Sequence, residues 1–199
     1  MINADFRTLK QTVNELIKNN RKKQSTLLIG IDGCGGSGKS TLARQPRDDF
    51  QDVTIVHKDD FYLPSAHIMK TAPSEKPIGA DYDWKRLVNE VLIPLSQDNA
   101  GNYQRYDWDS DRLAEWHTVP MGGIVIIEGV YTLRQELADY FDLKIWVDCP
   151  RDTRLARGLE RDGEGARDWW EKNWMVQEDL YVAAYKPFEK ADLILSGEA

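Results

Sequence analysis

The chain is poor in the features that mark several protein classes. Its 199 residues include only two cysteines, Cys34 and Cys149, and three histidines. Two cysteines cannot build a disulfide framework, and they lack metal-ligand spacing. This usage fits a reducing cytoplasm, where the protein is expected. No stretch approaches the ~20 apolar residues needed to span a bilayer. The segment from Met1 to Lys23 is polar and has no apolar signal-peptide core. No membrane partner is therefore expected. Positive charge is not in excess either: 26 Lys and Arg stand against 33 Asp and Glu, a net charge of −7. A sequence-independent grip on nucleic acid is not expected on that balance, which leaves room for a local basic cleft. Internal repeats, low-complexity tracts and a composition break between domains are also missing.

What is present is a 41% hydrophobic content spread along the whole length. That suits one domain over residues 1–199 with a full core. Phe6, Leu9, Val13, Leu16 and Ile17 recur at three- and four-residue intervals, so residues 1–23 read as an amphipathic helix. A β-like run follows at 26–32, then a helix from about Lys39 to Phe50 that should bend or stop at Pro46. Further strands are expected at 53–56, 123–128, 143–148 and 192–195. Helices are expected at 82–95, 133–140, 151–161 and 168–184. Residues 64–80, with three prolines and Gly79, read as an irregular loop, and 107–121 is ambiguous. Strands alternating with helices imply an α/β sandwich around a largely parallel sheet.

The sharpest motif is Gly33-Cys34-Gly35-Gly36-Ser37-Gly38-Lys39-Ser40, which matches G-x-x-x-x-G-K-[ST] between an expected strand and an expected helix. A loop that wraps a polyphosphate must turn successive backbone N–H groups inward. Some of its residues must take positive φ, and none can push a Cβ into the ligand. Four glycines in the six positions 33–38 meet that need. Lys39 can reach the β- and γ-phosphates, and the Ser40 hydroxyl can serve Mg²⁺. The motif therefore points to a nucleoside triphosphate with magnesium. It leaves open whether the terminal phosphate is transferred or hydrolysed.

In a parallel sheet the ligand crevice lies at the carboxyl ends of the strands. Three expected strands end there in acids: Asp59 with Asp60, Glu128, and Asp148. Glu128 follows four apolar residues, as a magnesium-linked acid at a strand end would. Asp59 is the candidate base for an alcohol nucleophile, with a turn cap as its plainer alternative. Asp148, before Cys149-Pro150, reads as a turn residue. Arg154, Arg157 and Arg161 share one face of the 151–161 helix. They and Arg167 either cover phosphates as lid arginines do or form a solvated face paired with Asp152, Glu160, Asp162 and Glu164. Trp169, Trp170 and Trp174 read as anchors of the next helix.

These residues occur in the order found in the uridine kinase branch of the P-loop kinases, which the chain resembles. The likeness is carried by residues 31–43, Asp59-Asp60-Phe61-Tyr62, Tyr106-Asp107-Trp108, Ile127-Glu128-Gly129-Val130, residues 152–157 and Ala191-Asp192-Leu193-Ile194. It covers most of residues 26–196. The resemblance implies a three-layer α/β/α sandwich with a five-stranded, mainly parallel sheet and a helical lid near 157–170. It implies phosphoryl transfer from ATP to a hydroxyl of a small acceptor, with Asp59 as general base. Residues 33–41 with Arg157, Arg161 and Arg167 would bind ATP. Ser40 and Glu128 would hold Mg²⁺. Tyr62 and Tyr106 would line the acceptor site.

The departures fall at that acceptor site. The family's N-F-D-H-P-D-like stretch is replaced by Glu75-Lys76-Pro77-Ile78-Gly79-Ala80-Asp81-Tyr82-Asp83. No clear counterpart of the ribose-binding aspartate remains, and Asp83 is the acceptor-side candidate. Where a base-contacting histidine is common, Asp109-Ser110-Asp111-Arg112 stands, so Asp111 and Arg112 join the acceptor candidates. The expected activity is thus that of a small-molecule kinase resembling uridine or cytidine kinase, with an acceptor that need not be a pyrimidine nucleoside. A regulatory ATPase without a small-molecule acceptor is the second reading. A nucleic-acid-directed kinase is the weakest, and an oligomer is left open.

Overall fold

The computed structural model describes residues 2–20 and 25–198 of the chain. It opens with strand β1 (Ile2–Ala4) and helix α1 (Phe6–Asn20). The helix is thus shorter than expected: residues 2–4 are extended instead, and residues 1 and 21–23 lie outside the described residues. Asp5 explains the helix start, since its carboxylate accepts the Thr8 N–H at 2.8 Å as an N-cap does. Strand β2 (Thr26–Asp32) is buried at every position, as a central parallel strand must be.

Helix α2 (Lys39–Arg44) gives way to a tight turn at Gln45–Asp48. Pro46, which lacks an N–H, sits at the start of that turn, so the expected break falls where its ring dictates. Strand β3 (Val53–His57) follows and runs into the turn Lys58–Phe61. Helix α3 occupies residues 84–96, and its middle, Val88–Leu92, is widened to a π turn. The widening accommodates Pro94, which cannot donate to the carbonyl of Glu90, so the helix passes the proline and ends at Ser96.

The ambiguous region 107–121 resolves as part of a hairpin, β4 (Gly101–Asp107) against β5 (Arg112–Val119). Strands β6 (Gly123–Glu128) and β7 (Leu143–Asp148) flank the short helix α4 (Gln135–Ala138). Helix α5 (Arg151–Asp162), helix α6 (residues 167–185), helix α7 (Pro187–Lys190) and strand β8 (Leu193–Ser196) complete the chain.

The main sheet runs β1-β8-β7-β2-β6-β3, and every pairing in it is parallel. The expected five parallel strands are all there, and β1 adds a sixth at the edge. Strand alternation splits the core in two. Leu27, Ile29 and Ile31 pack with Leu9 and Val13 of α1 and Ala43 of α2. Leu28, Val125 and Ile127 face the other way, against Leu87, Val91 and Leu95 of α3 and Tyr181 of α6. Helices on both faces make three layers. Strands β2, β3 and β6 all end at one edge, which brings the glycine loop, the Lys58–Phe61 turn and Glu128 together. Among the described residues no helix is long and apolar enough to cross a membrane.

Candidate active site

At that edge lies a cavity of about 550 Å³. One wall is the glycine loop with the start of α2: Gly35, Gly36, Gly38, Lys39, Ser40 and Thr41. Gly33, Cys34 and Ser37 form the back of the loop and do not line the cavity. The loop's shape needs glycine most at Gly36, where φ is +74° and a Cβ would stand 2.4 Å from the carbonyl oxygen of Arg154. Lys39 is buried, and its Nζ donates to the Cys34 carbonyl at 2.9 Å, which folds the side chain back over the loop.

Below the loop, fully buried Asp32 accepts from Gly33 N–H (2.7 Å), Leu133 N–H (2.7 Å) and the Tyr181 hydroxyl (2.6 Å). Burial pushes its carboxyl up, and these three donors offset part of the penalty. Glu178 of α6, also buried, accepts the Gly35 N–H at 2.8 Å and pairs with Arg154 Nη1 at 2.9 Å. Burial raises its carboxyl too. The loop is thus fastened from beneath by Asp32 and from the side by Glu178.

Glu128 ends β6 just beside the loop. One oxygen, Oε1, accepts from Ser40 Oγ at 2.9 Å and from His57 Nδ1 at 2.5 Å. Burial alone would raise the Glu128 carboxyl, but the His57 hydrogen bond, the Lys39 charge and Ser40 outweigh it and hold it below its ordinary value. His57 is raised in return, first by that hydrogen bond. The hydroxyl and carboxylate sharing one locus are hard oxygen donors of the kind magnesium takes, with phosphate oxygens and water supplying the rest.

Asp59 lines the same cavity as the loop. Its Oδ1 accepts the Tyr82 hydroxyl at 3.2 Å. Asp60 points the other way and accepts the Tyr103 hydroxyl at 2.7 Å, outside the cavity. Tyr62, Tyr82, Trp108, Tyr131 and, from α6, Trp174 line the cavity with Asp59. Tyr62 packs on Tyr82 (5.0 Å between ring centroids), Tyr106 (5.6 Å) and Trp108 (4.5 Å).

Several expected acceptor residues do other work. Asp83 does not line the cavity; it caps α3, accepting the Arg86 N–H at 3.0 Å. The carboxylate that does line the cavity is Asp81, ion-paired with Lys76 at 3.0 Å. Asp111 is also outside. It accepts the Tyr106 hydroxyl at 2.7 Å and the Ser65 N–H at 2.9 Å, latching the hairpin to the 64–67 segment. These bonds, Ser65 foremost, hold its carboxyl below the usual range. Tyr106 supports Tyr62 and Trp108 from behind, and Arg112 is exposed on the hairpin.

The arginines divide as well. Arg157 lines the cavity and donates to the Gly197 carbonyl at 2.7 Å and the Gly36 carbonyl at 3.4 Å. Arg161 lines it too, paired with Asp162 at 2.7 Å and lying over the Trp170 ring. Arg167, expected at the phosphates, stands outside the cavity and pairs with Glu164 and Glu171, as the solvated-face alternative described. Of the three tryptophans, Trp170 is buried as an anchor and also borders the cavity, while Trp169 is exposed.

Sequence reasoning passed over His57, Lys58, Asp81, Tyr82, Tyr131 and Glu178. For His57 and Lys58 the signal was adjacency to Asp59 at the end of a strand. Asp81 and Tyr82 lay next to the residue chosen. Glu178 lies far along the chain within an ordinary polar helix, and no local pattern marks it.

A parallel sheet with a glycine loop after its interior strand β2, and acids at the ends of the neighbouring β6 and of β3 beyond it lining the same cavity, defines a P-loop kinase architecture. Within that class the chain belongs to the Phosphoribulokinase / Uridine kinase family, which residues 28–194 match. It is 35% identical to a uridine kinase from Clostridium novyi, over 68% of each chain. It is 32% identical to a uridine kinase from Lactobacillus johnsonii, over 81% of this chain and 77% of that one. Among solved structures, a possible uridine kinase from Bacillus stearothermophilus superposes with a TM-score of 0.71, covering 96% of this chain and 100% of that one at 22% identity. That last likeness concerns the fold.

Proposed function

We propose that this protein transfers the terminal phosphoryl group of ATP to a hydroxyl of a small molecule. The observation that carries the reading is that Asp59 and the glycine loop line one and the same cavity. Loop amides and Lys39 bind the phosphates. The acceptor hydroxyl lies against Asp59, which takes its proton as the oxygen bonds to the terminal phosphorus. The bond from that phosphorus to the bridging oxygen breaks, and ADP leaves with the electron pair. A magnesium ion, when bound, neutralises charge on the phosphates; Ser40 and Glu128 are the residues that would hold it.

The aromatic wall of Tyr62, Tyr82, Trp108 and Tyr131 suits an acceptor with a flat or apolar face. Relatives named uridine kinase make nucleosides the first acceptors to try. A regulatory ATPase would use the same loop, but this wall and the cavity-facing Asp59 exceed what nucleotide binding requires. A panel of nucleosides and polyols, read by acceptor-stimulated ADP formation, tests the proposal. Wild-type protein should respond to at least one acceptor, and Asp59→Asn should respond to none while still binding ATP. ATP turnover indifferent to every acceptor would reject it.

A further inference from the structure

Lys58 opens the turn that carries Asp59, and it is buried in an unusual way. Its side chain is wholly inaccessible, and its Nζ has no hydrogen-bond partner. The amino group lies 3.9 Å from the centroid of the Tyr82 ring and 5.3 Å from that of Tyr131. The hydroxyl of the same Tyr82 donates to Asp59 Oδ1 at 3.2 Å. Residues 58 and 59 are therefore joined twice, once through the backbone and once through the Tyr82 ring. On its other side the Lys58 stem abuts the residue after Glu128: a Cβ on Gly129 would lie 2.5 Å from the Lys58 Cβ. The charged groups acting on the amine are Asp32 and Asp59, which favour its charge, and Arg134, which opposes it.

A buried amine without a hydrogen-bond partner is a poor choice for stability alone. A methionine of similar length would fill the same space without the desolvation penalty. Two tyrosine faces, by contrast, are suited to an amine held out of water.

We propose that Lys58 is a positioning residue for the general base: by holding the Tyr82 ring, it fixes the hydroxyl that orients the Asp59 carboxylate. This rests on the reading of Asp59 as base. Lys58→Met should lower kcat on the order of 10-fold, since small displacements of a reacting group are costly. The KM for ATP should stay within about twofold, and thermal stability should not fall. Tyr82→Phe, which keeps the ring but removes the hydroxyl, should lower kcat to a similar extent. The double variant should be no worse than the poorer single one, because both act through one connection. A Lys58→Met enzyme with wild-type kcat, or losses that multiply in the double variant, would overturn the proposal. Should Lys58→Met not fold, an unchanged kcat in Tyr82→Phe alone would overturn it. Asp59→Asn separates the two levels. Transfer retained in that variant removes the base and this inference together. An inactive Asp59→Asn beside normal Lys58→Met and Tyr82→Phe removes only the inference.

Discussion

The two walls of the cavity are made in different ways. The phosphate wall is almost entirely one stretch of chain between Gly35 and Thr41, whose shape follows from its own glycines and from the strand before it. The acceptor wall is assembled from side chains of five distant segments: the Lys58–Phe61 turn with Tyr62, the 79–82 segment, the β4–β5 hairpin, Tyr131 after β6, and α6. A backbone site has its recognition written in consecutive residues. A side-chain site depends on which segments the fold brings together, and neighbouring residues of like chemistry can trade places. Asp81 and Asp83 show this directly, since both are aspartates near the start of α3 and one lines the cavity while the other caps the helix.

The comparison is tested most severely where the walls meet. Asp59→Asn should cost about 10²- to 10⁴-fold in kcat, the usual contribution of a positioned base, and leave ATP affinity within about twofold by calorimetry. Lys39→Ala should strike the other wall. A loss on the order of 10²-fold in kcat is expected, accompanied by weakened ATP binding, so kcat and KM should separate the two walls.

A smaller effect is expected from Lys58 through pH. Burial, with Arg134 acting the same way, pulls its ammonium down from 10.5 to about 7. Between those values the unfolded chain holds the proton and the folded chain does not, so its contribution to stability rises with pH. Below pH 7 both states are protonated and the penalty is fully present. Lys58→Met should therefore raise the melting temperature most at or below pH 7, with a gain that shrinks toward pH 10. A gain independent of pH would show that the amine is not the source. The smallest effect belongs to Asp83→Ala, which should cost about 1 kcal/mol of stability as a lost N-cap and leave acceptor KM unchanged. A raised acceptor KM would return Asp83 to the site.

How much could be read beforehand follows the same division. The five-strand parallel sheet, the glycine loop and the strand-end acids were legible, because burial of β2 and β6 and the turn chemistry at 33–38 are local. Pro46 was legible for the same reason. The widened turn at Val88–Leu92, which lets the helix carry Pro94 to its end at Ser96, was not, because only packing reveals it. The hairpin was hidden because β5 alternates weakly and lies mostly exposed. Glu178 was hidden because it reaches Gly35 across 143 residues of sequence. Arg167 and Asp111 carried the right chemistry but met nearer partners, Glu164 and Ser65, before they could reach a ligand.

The most direct test of the central claim is to follow the terminal phosphate of ATP labelled at that position, in the presence of the best acceptor, with wild-type and Asp59→Asn protein side by side. The account predicts label on the acceptor with the wild type and almost none with the variant, at equal ATP occupancy. Label recovered only as inorganic phosphate, or transferred equally by both proteins, would contradict it.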